Sequence, residues 1–277
     1  MHTPVLLQEA VAGLKVKPGN LYIDATVGEG GHLKEILKEG GKILAIDWDQ
    51  QQISKLKSEL KQTSNVSFAV GNFSDIESIA KQNNFYPVSG ILIDLGLSLG
   101  QIRESKRGFS FKNLEEPLDM RISSDLKYTA SDIINSFSEQ ELYEVLAGNA
   151  EEINSRPIVE AIVRTRTLKP VEKISQLLSV IDQALGHKDA KTYARVFQAL
   201  RITVNNEFNN LRNGLNRAMN VLSPEGRLVV ITFHSLEDRI VKRFITENNL
   251  RQINHKVIKG RREKSFERSA QLRIIEK

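Results

Sequence analysis

The sequence predicts an α/β fold: a mostly parallel β-sheet with a helical domain inserted into it. Short apolar runs rich in β-branched residues recur along the chain, and helical patterns separate them. Between Leu97 and about Ala199 no convincing strand pattern occurs, and this interval is too long for a simple crossover. We therefore expect a discontinuous sheet domain over residues 1–103 and 200–277, and an inserted helical domain over residues 104–199.

The most specific local pattern lies between Leu21 and Asp49. An apolar run ends at Asp24, the glycine turn Gly28-Glu29-Gly30-Gly31 follows, and a helical segment leads to a second apolar run that ends at Asp47. Glycine allows a tight turn and a close approach of the backbone to a ligand, and an acid after the second strand typically accepts hydrogen bonds from a ribose. The pattern predicts a Rossmann-like βαβ unit that binds a nucleotide-like ligand.

Two residues of this unit argue against a nicotinamide dinucleotide. The dinucleotide fingerprint requires glycine at the sixth position counted from Gly28, which is Leu33 here, and Asp24 would repel a pyrophosphate. S-adenosylmethionine carries a sulfonium, an ammonium and free ribose hydroxyls, so it suits Asp24 and Asp47 better. The alternatives are that Asp24 caps the turn and that Asp47 begins the next loop.

Further strands and helices follow from the same patterns. Strands are predicted at Val66–Val70, at Ile91–Ile93 before Asp94, and at Leu228–Phe233 before His234. In the sheet domain, Asp49 is expected to cap a helix from Gln50, Ser235 with Asp238 to start a helix over Leu236–Glu247, and the turn Ser223–Gly226 to stop the helix that contains Phe208 and Leu215.

The insertion carries helix starts of its own, and the C-terminal segment carries strand patterns. Helix starts are expected at Thr129 with Asp132, at Ser138 with Glu141, and at Pro157 before Ile158–Arg166; another helix is expected over Val171–Leu185. Near the C-terminus, Gln252–Ile258 and Gln271–Ile275 are predicted to pair antiparallel around a basic loop, Lys259–Arg268.

Composition limits the possible functions. The chain has no cysteine, which excludes disulfides, thiolate metal sites and cysteine nucleophiles and fits a cytoplasmic protein. No apolar run approaches the length of a signal peptide or a membrane span. The net charge of +5 comes from the segment after Leu250, which holds nine basic and three acidic residues. Such a segment is typical of a contact with a nucleic-acid backbone, although a solvated loop is the equal alternative.

Eight ordered blocks of sequence resemble one family, the bacterial ribosomal RNA small subunit methyltransferase H (MraW) family. They are His2–Glu9, Asp24–His32, Asp94–Ser98, Arg107–Phe111, Pro117–Arg121, Arg195–Ile202, Phe233–Arg239 and Arg268–Arg273. The resemblance implies a class I S-adenosylmethionine-dependent methyltransferase, α/β and Rossmann-like, that modifies the N4 amine of a cytidine in the decoding centre (P site) of 16S rRNA. It implies the small ribosomal subunit as partner, no metal and no membrane, and leaves a homodimer open.

Carried over by position, the family's cofactor contacts fall on seven residues. They are Gly30, Gly31, His32, Asp47, Phe73, Asp94 and Gln101. The glycines would admit the methionine moiety and Phe73 would pack on adenine. Without the resemblance, Phe73 is equally a core residue, His32 a helix-start residue and Gln101 a solvated loop residue.

The catalytic base is left open by the sequence. Candidates for accepting a proton from the amine are Asp94, Asp119 and His234, and the last two are equally structural residues. Phe109 and Phe111 are candidates for stacking the target base, and Arg156, Arg164 and Arg166 for binding RNA. The alternatives are that the two phenylalanines are core residues and that the arginines belong to an ordinary solvated face. The alternative functions are an inactive methyltransferase-like assembly factor and a nicotinamide-dependent oxidoreductase.

The chain also departs from the family's usual pattern. The departures lie at Ala25, at Leu97 and Leu99, at Arg103, at Lys191–Ala194 and in a shortened segment before Arg268. These positions bear on contacts with RNA more than on the cofactor.

Overall fold

The computed structural model describes residues 4–96, 105–261 and 267–277, and the chain divides into two compact units. One unit comprises Met1–Ser98 and Phe208–Lys277, and the other comprises Leu99–Glu207. The predicted limits at 103 and 199 differ from these. Residue 199 lies inside a continuous helix, Ala190–Asn205, that packs within the second unit.

The first unit begins with alternating helices and strands. They are α1 (Leu7–Leu14), β1 (Leu21–Asp24), α2 (Gly31–Lys38), β2 (Lys42–Asp47), α3 (Gln50–Glu59), β3 (Val66–Val70), α4 (Ile76–Gln82) and β4 (Val88–Asp94). The side chain of Asp49 accepts a hydrogen bond from the N–H of Gln51, which confirms the predicted cap of α3. Strand β1 pairs in parallel with both β2 and β4, as expected for strands joined by crossovers.

The second unit is helical, with α5 (Ala130–Ser136), α6 (Glu139–Ala150), α7 (Ser155–Arg166), α8 (Ile174–Leu185) and α9 (Ala190–Asn205). The predicted capping boxes at Thr129 and Ser138 are both present. Helix α8 begins three residues later than predicted, at Ile174. The N–H of Val171 bonds to Asn135, outside the helix, and Lys173 is the N-cap, whose N–H bonds to the side chain of Gln176 in the first turn. One buried apolar cluster, which includes Ile134, Leu146, Ile158 and Leu177, holds these helices together.

The chain returns to the first unit through α10 (Glu207–Val221), β5 (Leu222–Thr232), α11 (Ser235–Glu247), β6 (Arg251–Gln252), β7 (Ile258–Lys259) and β8 (Gln271–Glu276). The predicted turn at Ser223–Gly226 lies inside β5, where the pairing with β4 jumps from Val88–Leu222 to Gly90–Arg227. The predicted C-terminal pairing is present in two short pieces, because β6 and β7 each pair antiparallel with β8.

The eight described strands form one sheet in the order β3-β2-β1-β4-β5-β8-β6, with β7 also on β8. Strands β1 to β5 run parallel and β8 is antiparallel to β5. This arrangement confirms the predicted mostly parallel sheet, and its order reverses at β1, where ligands of such sheets bind beyond the carboxyl ends of the strands. None of the helices in the described part of the chain is long and apolar enough to span a membrane.

Candidate cofactor site

Three aspartates meet at the carboxyl edge of the sheet. Asp24, Asp94 and Asp47 are the last residues of β1, β4 and β2, which are neighbours in the sheet. Asp24 and Asp47 are buried, at 1% and 7% exposure, and the Asp94 side chain is 18% exposed. The three neighbouring parallel strands therefore bring three carboxyl groups to the edge where the sequence predicts a ligand.

Asp47 anchors the glycine turn. Its Oδ2 accepts a hydrogen bond of 2.8 Å from the N–H of Gly28, and its Oδ1 accepts one of 2.8 Å from the N–H of Asp49. Burial raises the pKa of Asp47 to about 6, while these backbone donors lower it. Each oxygen keeps a second lone pair for a ligand hydroxyl, so the predicted ribose contact is chemically available.

Asp24 has fewer partners. Its Oδ1 accepts a 3.3 Å hydrogen bond from the N–H of Thr26, and its Oδ2 accepts none from any residue that the structure describes. Burial raises the pKa of Asp24 to about 8, and the negative charges of Asp94 and Asp47 raise it further. The site thus contains a buried carboxyl oxygen with spare acceptor capacity.

Asp94 and His32 face one another. His32 Nε2 lies 3.0 Å from the carbonyl oxygen of Val5, so Nε2 carries the proton and Nδ1 is left as an acceptor, 4.0 Å from Asp94 Oδ2. Burial lowers the pKa of His32 to about 4, so the ring is neutral at pH 7. Burial raises the pKa of Asp94 to about 7, and the negative charge of Glu237 adds to this effect.

The glycines of the turn are required by packing inside the protein. Gly30 has φ = 77°, and a Cβ there would lie 2.7 Å from a methyl group of Leu56. A Cβ on Gly31 would lie 1.9 Å from the ring of Pro4. From the sequence, we expect these glycines to leave the room that the methionine moiety needs. That explanation is incomplete, because the N-terminal segment occupies the space beside Gly31.

Phe73 lies just after β3, in the short 3₁₀ helix Phe73–Asp75. Its ring packs on α10, because a Cβ on Gly214 would lie 2.6 Å from it. The ring is partly buried against the apolar core of the sheet unit. The core role considered for Phe73 is thus present, and the predicted adenine contact stays a prediction. Gln101 lies outside the described residues.

The other two proton-acceptor candidates have structural partners. Asp119, in the helical unit, accepts hydrogen bonds from Arg121 Nε at 2.8 Å and Nη2 at 2.9 Å, which offset its burial and lower its pKa. His234 is the N-cap of α11, with Nδ1 accepting from the N–H of Glu237 at 3.4 Å. The predicted cap at Ser235 is therefore wrong by one residue, because His234 pairs reciprocally with Glu237.

Of the predicted base-stacking residues, Phe111 packs edge to face on Tyr193 and Phe197, with 5.9 Å between ring centroids in each pair. Phe109 packs on the same apolar cluster. Both rings pack on the helical core, as the alternative interpretation expects, and both are only partly buried, so the stacking of a target base stays a prediction.

Sequence reasoning missed two residues of the site. Thr26 Oγ1 accepts a 2.7 Å hydrogen bond from the N–H of Asp94 and so connects the glycine turn to the end of β4. Glu237 is 3% exposed, and its Oε2 accepts a 2.7 Å hydrogen bond from the N–H of Phe233 after β5. The signal for Glu237 was its position three residues after His234, the spacing of a capping box.

Comparison with known proteins identifies the family. A model of the MraW methylase family matches residues 1–277. The chain belongs to the MraW methylase family. The ribosomal RNA small subunit methyltransferase H of Dictyoglomus turgidum is 39% identical, over 100% of this chain and 97% of that protein. The protein of the same name from Cytophaga hutchinsonii is 40% identical, over 96% of this chain and 89% of that protein.

A solved structure of an SAM-dependent O-methyltransferase from Thermotoga maritima aligns with 100% of this chain and 67% of that chain, at 11% identity and a TM-score of 0.47. Membership of the MraW methylase family and the observed strand order together confirm the predicted class I methyltransferase fold with an inserted helical unit. The family also favours methyl transfer over the nicotinamide-dependent oxidation that Leu33 and Asp24 argued against.

Proposed function

We propose that this protein transfers a methyl group from S-adenosylmethionine to the N4 amine of a cytidine in the decoding centre of 16S rRNA. The observation that carries the cofactor assignment is the cluster of Asp24, Asp47 and Asp94 at one sheet edge. Within the described ranges, the only basic side chain in ion-pair range of this cluster is His32, which is neutral at pH 7. A cationic nucleoside supplies the positive charge that the cluster lacks.

The residues present fit S-adenosylmethionine. Asp47 has lone pairs for the ribose hydroxyls, and Asp24 has a buried oxygen, unpaired in the described part of the chain, for a cationic group. Phe73 stands after β3 on the same edge, where an adenine ring can pack. We infer small-subunit ribosomal RNA as the substrate from the names of the relatives, because those relatives match almost the entire chain.

The chain's own chemistry is positioning and proton acceptance. When bound, S-adenosylmethionine supplies an electrophilic methyl group. The lone pair of a cytosine amine is delocalised into the ring, so the protein must hold the amine in line with that methyl group and accept a hydrogen bond as positive charge develops on nitrogen. Asp94 suits this role, because it ends β4 and burial places its pKa near neutrality, at about 7.

The C-terminal segment is the better candidate for the RNA contact. The chain has 39 basic and 34 acidic residues. The helical unit, Leu99–Glu207, contains 15 basic and 16 acidic residues, whereas the segment after Leu250 contains nine basic and three acidic residues. In the helical unit, Arg166 Nη1 donates to the carbonyl oxygen of Ile134, and Arg156 lies over the ring of Tyr143. Two of the three predicted RNA-gripping arginines therefore make contacts within their own unit.

The activity is tested by incubating the protein with small ribosomal subunits and methyl-labelled S-adenosylmethionine, followed by digestion of the RNA to nucleosides. Label in N4-methylcytidine is the expected result. Cofactor binding with label absent from that nucleoside would reject the assignment, and RNA binding without any methyl transfer would identify an assembly factor instead.

A further inference from the structure

The environment of Asp24 supports an inference that rests on the proposed function for the identity of the ligand. Asp24 is 1% exposed, and the hydrogen bond from Thr26 to its Oδ1 is long, at 3.3 Å. Its Oδ2 has no hydrogen-bond partner among the described residues. A carboxylate in this setting has lost its water without gaining equivalent donors, which penalises the charged form.

The groups that face Asp24 do not compensate for a negative charge. Asp47 ends β2 and Asp94 ends β4, on either side of β1, and both raise the pKa of Asp24. From α2, the backbone N–H of Leu33 faces the carboxyl group, and His32 is neutral at pH 7. No lysine or arginine within the described ranges forms an ion pair with any of the three aspartates.

We propose that Asp24 is a cofactor-positioning residue that is neutral in the free protein and gives up its proton when the cationic methionine end of S-adenosylmethionine binds. The proton passes to the solvent, and the carboxylate then pairs with the positive charge of the ligand. This exchange explains why Asp24, at the end of β1, has a buried oxygen without a partner among the described residues. The free protein avoids a further buried charge, and the bound protein gains a counter-ion.

The exchange couples affinity to pH in a defined direction. Because binding releases the Asp24 proton, affinity rises with pH while free Asp24 is protonated, up to its pKa of about 8. The α-amino group of the ligand loses its own proton at about pH 8, so the rise is measured below that pH. Asp94 and Asp47, with pKa values of about 7 and 6, add to the release at lower pH. The number of protons that Asp24 itself releases must therefore be determined by substituting Asp24.

Isothermal titration calorimetry measures the protons that Asp24 releases on binding. S-adenosylmethionine is titrated into the full chain at pH 7 in buffers of different ionisation enthalpy, and the slope of the observed enthalpy gives the protons released. The wild type is expected to release protons, and Asp24→Asn, which keeps the shape but cannot ionise, is expected to release roughly one fewer. The matched control is Asp189→Asn, because Asp189 caps α9 in the helical unit, where asparagine also caps, and its charge does not enter the pKa shifts of the three aspartates.

Asp189→Asn is expected to release as many protons as the wild type. If Asp24→Asn binds the cofactor with undiminished proton release, the proposal is overturned while the proposed function stands. If the wild type does not bind S-adenosylmethionine, both are overturned.

Infrared difference spectra of the wild type cover the case in which Asp24→Asn does not fold or bind. With ¹³C-labelled aspartate, the band of a protonated carboxyl group is expected to disappear when S-adenosylmethionine is added. Persistence of all such bands, or their absence from the free protein, would contradict a neutral Asp24 that ionises on binding.

Discussion

Asp47, Asp94 and Asp24 are the same residue type at equivalent strand ends, yet their hydrogen bonding differs. Among the residues that the structure describes, Asp47 accepts two backbone hydrogen bonds of 2.8 Å and Asp94 one of 3.4 Å. Asp24 accepts one of 3.3 Å, and its second oxygen has no partner there. Their pKa values are about 6, 7 and 8. Burial raises the pKa of all three, and the best-bonded carboxyl group is raised least.

Gly31→Ala tests whether this glycine serves the N-terminal segment. The new Cβ would lie 1.9 Å from Pro4, so Pro4 and Val5 must move away and His32 would lose the carbonyl acceptor of Val5. We expect the free energy of unfolding to fall by about 1–3 kcal/mol, measured by urea denaturation.

Gly148→Ala is the matched control for that change. Gly148 lies in α6, and a Cβ there would have no neighbour within 4 Å. Because alanine favours helix more than glycine does, this variant is expected to be more stable by about 0.5–1 kcal/mol. Equal changes in the free energy of unfolding for Gly31→Ala and Gly148→Ala would show that Pro4 does not restrict position 31.

Glu237→Gln tests Asp94 as the proton acceptor. The negative charge of Glu237 raises the pKa of Asp94, and glutamine removes that charge while its amide oxygen can still accept from the N–H of Phe233. The pKa of Asp94 should fall, so Asp94 should become an ionised acceptor at lower pH. The acidic limb of the pH–rate profile is expected to move to lower pH. An unchanged limb would remove Asp94 from that role.

At the level of elements, a side chain interrupts the C-terminal strand pairing. Between β6 and β7, Asn254 donates from its side-chain amide to the carbonyl oxygen of Leu272 at 2.9 Å and accepts from the N–H of Ile274 at 2.8 Å. The amide group of Asn254 thus takes the place of a backbone peptide beside β8. Because this side chain occupies the place of a backbone peptide group, the predicted strand Gln252–Ile258 is split into two short strands.

Asn254→Ala is expected to leave the N–H of Ile274 and the carbonyl of Leu272 without these partners and to lower the free energy of unfolding by about 1–3 kcal/mol. Amide hydrogen exchange should accelerate at Ile274. Asn216→Ala is the control, since Asn216 is exposed and bonds only to a carbonyl of its own helix, that of Arg212. A comparable acceleration in both variants would contradict the strand-like role of Asn254.

The sequence predicted the elements whose cause is local. The strand ends at Asp24, Asp47 and Asp94 follow from apolar runs, and the caps at Thr129 and Ser138 follow from residues three apart. It could not predict causes that arise from tertiary contacts.

Three tertiary contacts explain where the structure differs from the sequence-based predictions. Pro4 meets Gly31 only after folding, Asn254 acts through β8, and His234 is an unusual N-cap that is selected by its pairing with Glu237.

At the level of the whole molecule, positive charge is concentrated in one segment. Replacing Lys256, Lys259 and Arg261 by alanine is expected to weaken RNA binding and to reduce the slope of log Kd against log salt by about 0.7–0.9 for each phosphate that is no longer neutralised. The matched change in the helical unit is alanine at Arg156, Arg164 and Lys169, which we expect to alter that slope less. The opposite ranking in filter-binding titrations would place the RNA contact on the helical unit.

Strand β8 follows all the other described strands in sequence, yet it lies between β5 and β6 in the sheet. During synthesis the chain emerges from its N-terminus, so β5 has no neighbour on that side until β8 leaves the ribosome. An open strand edge can pair with other chains. The order of the strands therefore makes the nascent polypeptide most prone to misassociation just before its last strand emerges, a period in which chaperone binding to β5 would be most useful.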